Sequence, residues 1–222
     1  MSELEWAVFD LNGTLLDPAG LSAALPPPCD DEATGLALLD ETVQQAMVDT
    51  LTGGYRPFGE YLRAAVQRRL ALAGVEDSEA VGAALEAAGR MPAFPEVPEA
   101  LALLRESGLR IATITNSTTD TAEAALQRAG LRDRFEVVTG SDRPRAFKPA
   151  PAVYRTGLEV LGAEPGQAVM IAAHAWDLHG AKAVGMRTAW ISRKERLVPG
   201  ALAEPDVSGA DVLDTCRRLL GG

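Results

Sequence analysis

The chain has 222 residues, of which 47% are hydrophobic and 23% are charged, and its formal net charge at pH 7 is -10. This composition indicates a globular protein with one or two domains and a sizeable core. No apolar run reaches the roughly 20 residues of a membrane span. The N-terminal residues show no basic stretch followed by an apolar block, so we expect no secretory signal. The sequence also shows no basic stripe of the kind that neutralises nucleic-acid phosphates. We therefore expect a cytoplasmic protein that binds neither membranes nor nucleic acid, with free thiols at Cys29 and Cys216.

The first quarter of the chain predicts one strand followed by helices. A short apolar segment that ends at Asp10 predicts the strand, and the Pro-rich, acidic residues 18–34 are interpreted as a linker. Apolar residues then recur at steps of three and four over 35–51, a spacing that predicts an amphipathic helix. No Lys or Arg precedes Arg56, and we interpret the acidic residues before it, Asp40 among them, as a solvated face.

Two further helices are predicted over 58–73 and 78–88, and Pro residues mark the end of this stretch near residue 92. Because these segments show little strand pattern, we predict an all-helical cap domain over residues 17–92.

The rest of the chain alternates helices with strands. Strands are predicted over 109–115, 135–139, 168–172 and 188–191, and helices over 99–107, 119–129, 150–161, 178–184 and 210–220. This alternation predicts an α/β fold, a Rossmann-like parallel sheet core with helices on both faces, built from residues 1–16 and 93–222.

Four polar segments follow predicted strands, at residues 10–14, 113–117, 147–151 and 171–177. The carboxyl ends of parallel strands border the active site in such folds, and the carboxylate of Asp10 could act there as a covalent nucleophile. Several residues of these segments also have a purely structural interpretation. Asp10 could cap a turn, Lys148 could be a solvated loop residue, and Asp177 could be the N-cap of a helix. Tyr154 and Trp176 could be packing residues.

The order and spacing of these segments resemble the four motifs of the haloacid dehalogenase superfamily over nearly the whole chain. Asn12 and Ala173 stand where the phosphatases of that superfamily carry Asp. A phosphatase needs an acid to protonate its leaving group, whereas a departing halide needs none. Fewer carboxylates also leave Mg²⁺ poorly held, so we expect no metal and no other cofactor. The segments 147–154 and 174–177 resemble those of the type II (L-2-) haloacid dehalogenases.

The resemblance implies a small-molecule substrate and two displacements through an ester of Asp10. It implies catalytic roles for Asp10, Lys148, Asp177, Thr14 and Asn116. It implies substrate-binding roles for Leu11, Asn12, Thr115, Tyr154, His174, Trp176 and Phe58. Relatives of this type are often homodimers, which makes a homodimer an expectation here too.

One feature departs from the type II pattern. Those enzymes usually carry an Arg in the first cap helix, and the equivalent position here is near Leu39. A leucine cannot bind a carboxylate bidentately as a guanidinium does. Two alternatives therefore stay open: a Mg²⁺-dependent phosphatase, and a non-catalytic binding protein on the same fold.

Overall fold

The computed structural model describes residues 3–221, and a six-stranded parallel sheet forms the centre of this part of the chain. The strands are β1 (Trp6–Phe9), β2 (Arg110–Ile114), β3 (Val137–Thr139), β4 (Ala168–Ala172), β5 (Arg187–Ile191) and β6 (Val207–Gly209), in the order β3-β2-β1-β4-β5-β6. The predicted parallel α/β sheet is confirmed. Strand β6 is not among the predicted strands, because Val-Ser-Gly carries a single large apolar residue.

The central position of β1 places Asp10 at the point where the strand order reverses. Phe9 pairs with Thr113 of β2 on one side and with Ile171 of β4 on the other. All residues of β1 and β4 are buried, as expected for strands that are covered on both faces. In sheets of this kind the crevice at such a reversal, outside the carboxyl ends of the strands, is where ligands bind.

Helices cover both faces of the sheet. They are α4 (Val97–Glu106), α5 (Thr119–Arg128), α6 (Pro151–Leu161), α7 (Ala175–Ala183) and α8 (Val212–Gly221). Because successive side chains of a strand point to opposite faces, Ala7 and Phe9 join one apolar cluster with α4, α5 and α8. Trp6 and Val8 join the other cluster, with α6 and α7.

Three further helices lie between β1 and α4 in the chain: α1 (Glu32–Leu51), α2 (Phe58–Leu72) and α3 (Ser78–Ala88). Their buried residues form an apolar cluster of their own, which includes Leu38, Leu62, Val66 and Val81. This separate cluster supports a helical cap, and we propose residues 17–92 as its extent. No helix in the described part of the chain combines the length and apolarity that crossing a membrane requires.

The predicted linker is wrong over much of its length. A short 3-10 helix spans Pro18–Ala24, and α1 begins at Glu32 because the Asp31 carboxylate accepts a 3.0 Å hydrogen bond from the Thr34 backbone N–H. An aspartate at this position satisfies a free N–H group of the first turn. The Pro-rich composition of the segment concealed both features.

Candidate active site

Asp10 lies directly after β1 and is held by three hydrogen bonds. Its backbone N–H donates to the Ile171 carbonyl of β4 (3.1 Å), its Oδ2 accepts from Thr14 Oγ1 (2.8 Å), and its Oδ1 accepts from Lys148 Nζ (2.8 Å). Thr14 Oγ1 in turn accepts the backbone N–H of Ala173 at 3.0 Å. The carboxylate is therefore fixed from both sides and does not cap the turn that follows.

Gly13 makes this turn possible. Its φ of +81° lies in the left-handed region, and a Cβ atom there would approach His174 Cε1 to 3.1 Å. Glycine avoids both the backbone strain and the close contact. The turn consequently brings the first and fourth polar segments together at Asp10.

Lys148 joins the two carboxylates of the site. It is completely buried, and its Nζ donates to Asp10 Oδ1 and to Asp177 Oδ2, the latter at 2.5 Å. Its backbone N–H donates to Asn116 Oδ1 at 2.8 Å, which ties the second polar segment to the third. A solvated role for Lys148 is thus wrong.

Asp177 lies inside the first turn of α7, completely buried. Its Oδ1 accepts a 2.7 Å hydrogen bond from the hydroxyl of Tyr154, on α6. The N-cap of this helix is His174, so the alternative of Asp177 as the cap is also wrong. The arrangement forms one continuous chain of hydrogen bonds from Thr14 through Asp10, Lys148 and Asp177 to Tyr154.

The charged neighbours of Asp10 set its protonation state. Burial alone raises the pKa of Asp10, but the positive charge of Lys148, its hydrogen bond and the neighbouring His174 outweigh that effect, and the net pKa is well below the usual range. Burial likewise lowers the pKa of Lys148, but Asp10 and Asp177 raise it above its usual value. Asp10 is therefore an ionised carboxylate throughout the neutral range.

The pKa of Asp177 moves in the opposite direction. Burial and the negative charge of Asp10 raise it, and Lys148 and Tyr154 offset only part of that rise. A raised pKa at a buried carboxyl that contacts a functional lysine is typical of an active site.

A cavity of about 30 Å³ opens beside Asp10, between the core and the cap. The core contributes Asp10, Asn12, Thr115, Asn116, His174 and Trp176, and the cap contributes Leu39, Asp40, Val43 and Phe58. The fold therefore brings together most of the side chains that the sequence suggested as substrate-binding.

His174 is the only one of these side chains with a buried polar atom that makes no hydrogen bond within residues 3–221. Its Nδ1 lies 3.4 Å from Asp10 Oδ2, and its ring centroid lies 5.3 Å from that of Trp176. An imidazole placed in this way is free to bind a water molecule or a substrate atom next to the nucleophile.

Two residues that were predicted to bind the substrate do not line the cavity. The side chain of Leu11 is buried in the core cluster and does not line the cavity. Tyr154 is also outside the cavity wall, since its hydroxyl is directed at Asp177. We therefore assign Tyr154 a positioning role.

Three residues of the cavity wall are absent from the predicted set of site residues, and all three lie on α1: Leu39, Asp40 and Val43. Asp40 Oδ1 forms a 2.6 Å ion pair with Lys194 Nζ, which follows β5 in the core. The helical spacing shows that one face of α1 is buried, but it cannot show that the face borders a functional cavity.

The family of the chain follows from comparison with known proteins. A family model described as haloacid dehalogenase-like hydrolase matches residues 4–185. Haloacetate dehalogenase H-2 from Moraxella sp. (strain B) is 30% identical over 196 residues, which are 87% of this chain and 88% of that protein. The (S)-2-haloacid dehalogenase of Xanthobacter autotrophicus is 32% identical over 205 residues, 91% of this chain and 79% of the relative.

Among solved structures, the L-2-haloacid dehalogenase of Xanthobacter autotrophicus with chloropropionic acid covalently bound has a similar fold. The TM-score is 0.88 at 24% identity, over 98% of this chain and 99% of that one. The chain belongs to the haloacid dehalogenase-like hydrolase family, as the sequence motifs suggested.

The superfamily includes Mg²⁺-dependent phosphatases, so the fit of a magnesium ion can be tested on the donor atoms. Within residues 3–221 no cluster of three or more His, Cys, Asp or Glu residues could hold a metal ion. Asp10 and Asp177 both accept hydrogen bonds from the Lys148 ammonium group, whose charge would repel a second cation. The side chains present do not fit a magnesium ion, which prefers several oxygen ligands.

Proposed function

We propose that this hydrolase cleaves the carbon–halogen bond of a 2-haloacid through an ester of Asp10, without a metal ion. One observation carries the proposal: Asp10 is an ionised, doubly hydrogen-bonded carboxylate beside the cavity, and the neighbouring position that a phosphatase fills with an acid is Asn12. The relatives described above, which act on haloacetate and on (S)-2-haloacids by name, support the same substrate class.

In the first step, a carboxylate oxygen of Asp10 attacks the halogen-bearing carbon. The new O–C bond forms as the C–X bond breaks, and the halide leaves with the bonding electron pair. Lys148 and Thr14 keep the carboxylate ionised and oriented for attack. A halide is a very weak base, so the amide of Asn12 is sufficient where an acid would otherwise be needed. Asn116, whose side-chain oxygen is held by the Lys148 N–H, is left with its amide N–H group to donate to the substrate.

In the second step, water attacks the ester carbonyl of Asp10. His174 Nδ1, which makes no hydrogen bond among the described residues and lies 3.4 Å from Asp10 Oδ2, accepts a proton from that water and returns it to the departing hydroxyl oxygen of the product. The substrate carbon is inverted once and Asp10 is regenerated. Asp177 and Tyr154 do not touch the substrate in this scheme, and they act by holding Lys148.

The experiment that tests the proposal measures halide and inorganic phosphate release in parallel. L-2-chloropropionate, bromoacetate and p-nitrophenyl phosphate are each assayed with Mg²⁺ and with EDTA. We expect halide release in EDTA that is lost in Asp10→Asn and retained in Asp120→Asn, an exposed aspartate of α5. Magnesium-dependent phosphate release would instead support the phosphatase alternative. No release from any substrate would support the non-catalytic binding protein.

Isotope labelling tests the ester itself. Under single-turnover conditions in heavy-oxygen water, the new hydroxyl oxygen of the product should come from Asp10 and should carry no label. Label in the product of the first turnover would show direct attack by water and would contradict the covalent step. A homodimer and a cytoplasmic location remain predictions, and the native mass of the protein in solution tests the first.

A further inference from the structure

A second cavity, of about 200 Å³, lies beyond the small cavity at Asp10. Asn12, Leu39 and Phe58 belong to the walls of both cavities, so the two cavities adjoin at these side chains. We call the second cavity the side cavity. It extends between the cap and the core and is much larger than the space at the reacting carbon.

The side cavity is apolar. Leu62, Leu85 and Ala88 line it from the cap, and Ala125 lines it from α5 of the core. Within residues 3–221 no charged side chain lines it, and its polar groups are amides and hydroxyls. An apolar ligand of matching shape would gain dispersion contacts with these walls.

Leu39 makes the junction between the two cavities apolar. It lies on α1 and is only 7% exposed, so its side chain is directed into the protein. A cation at this position would hold an anionic group near Asp10. The leucine instead presents apolar surface, past which a hydrocarbon chain can extend into the side cavity.

We propose that the side cavity binds an alkyl chain on the halogen-bearing carbon, and that the preferred substrates are 2-haloacids with a medium-length chain, such as 2-bromohexanoate. This inference rests on the proposed function and specifies its substrate class. Burying one methylene group in an apolar site favours binding about fourfold. Affinity therefore rises with chain length until the side cavity is full.

The test compares specificity constants for 2-bromopropionate, 2-bromobutyrate, 2-bromohexanoate and 2-bromooctanoate. We expect kcat/KM to rise about fourfold per methylene through the shorter members, mainly through a lower KM. Two variants, Ala88→Leu and Ala125→Leu, fill the side cavity from opposite walls. If one of them fails to fold, the other still tests the inference. Each should reduce kcat/KM for 2-bromohexanoate far more than for 2-bromopropionate.

The matched control is Ala83→Leu, which adds the same atoms to an exposed position of α3 and should leave the chain-length profile unchanged. Equal specificity constants across the series in the wild type would overturn the inference. So would filling variants that change the constants for short and long substrates by the same factor. In both cases, halide release from any of these substrates would still support the proposed function.

Binding measurements separate the two proposals if no substrate is turned over. Calorimetry with Asp10→Asn should show tighter binding of 2-bromohexanoate than of 2-bromopropionate, and Asp10→Asn/Ala88→Leu should lose the difference. Equal affinities would refute the side cavity as a chain-binding site. A difference without turnover in the wild type would refute the proposed function alone.

Discussion

Lys148 Nζ donates a 2.5 Å hydrogen bond to Asp177 Oδ2, and both side chains are completely inaccessible to solvent. The same ammonium group holds Asp10, so two carboxylates share a single buried cation. Removing one charge from a buried cluster leaves the others without compensation. The site is therefore a coupled unit, in which stability, protonation and activity depend on the same residues.

The substitution Lys148→Met should lower the free energy of unfolding by about 3–5 kcal/mol and abolish halide release, because Asp10 and Asp177 lose the cation that they share. Chemical denaturation and a halide assay measure the two effects. The double variant Lys148→Met/Asp177→Asn should recover part of the stability without activity. Lys182→Met, at a half-exposed ion pair with Asp206, is the control and should cost less than about 1 kcal/mol. Wild-type stability in Lys148→Met would contradict the coupled unit.

The substitution Tyr154→Phe tests the positioning role of the tyrosine. Loss of the hydroxyl removes a hydrogen bond that lowers the pKa of Asp177, so this pKa should rise further and the acidic limb of the kcat profile should move to higher pH. KM should change little, because Tyr154 does not line the cavity. Tyr61→Phe removes a comparable hydrogen bond to Asp49 inside the cap and should leave the pH profile as it is. A KM effect without a shift in the profile would instead indicate direct substrate contact.

The pH dependence of ester formation follows from the lowered pKa of Asp10. The carboxylate stays ionised as the pH falls, so single-turnover halide release should be nearly constant from about pH 8 to about pH 5. The stabilising effect of its ion pair is present above the unfolded pKa, near 3.8, and is lost only as the pH falls through the lower folded value. Rapid-quench measurements of halide release test the expected constancy of the rate with pH. A steep loss of rate by pH 5 that does not move in Tyr154→Phe would mean that burial, and not Lys148, controls the pKa of Asp10.

The substitution Leu39→Arg should improve the use of short haloacids. A guanidinium at this wall of the cavity can bind the substrate carboxylate by charge-assisted hydrogen bonds, so KM for bromoacetate should fall about tenfold or more. The same change should reduce the preference for long chains, because Leu39 also lines the side cavity. Steady-state kinetics measure both effects, and Leu39→Met is the uncharged control. An unchanged KM in the arginine variant would show that the carboxylate binds elsewhere.

Much of the fold is predictable because it depends on local patterns. The buried apolar runs of β1 and β4 and the helical spacing of α1 are visible in the sequence, and so is the placement of Asp10, Asn116 and Asp177 after strands. Since parallel strands end at one edge of a sheet, the order of these segments is enough to gather them at one site. The identities of Asn12 and Ala173 likewise distinguish the chain from phosphatases by residue type alone.

How these side chains meet depends on contacts that form only when the chain is folded. Sequence spacing shows which residues are buried, but not what they face across the fold, and so it suggests Tyr154 as a substrate contact although its hydroxyl holds Asp177. The position of Asp40 in the cavity wall depends on the packing of cap against core, as does the side cavity beyond Leu39. The residue types that follow each strand are enough to indicate the class of chemistry. The shape of the substrate site is set by contacts between distant segments, which no local pattern records.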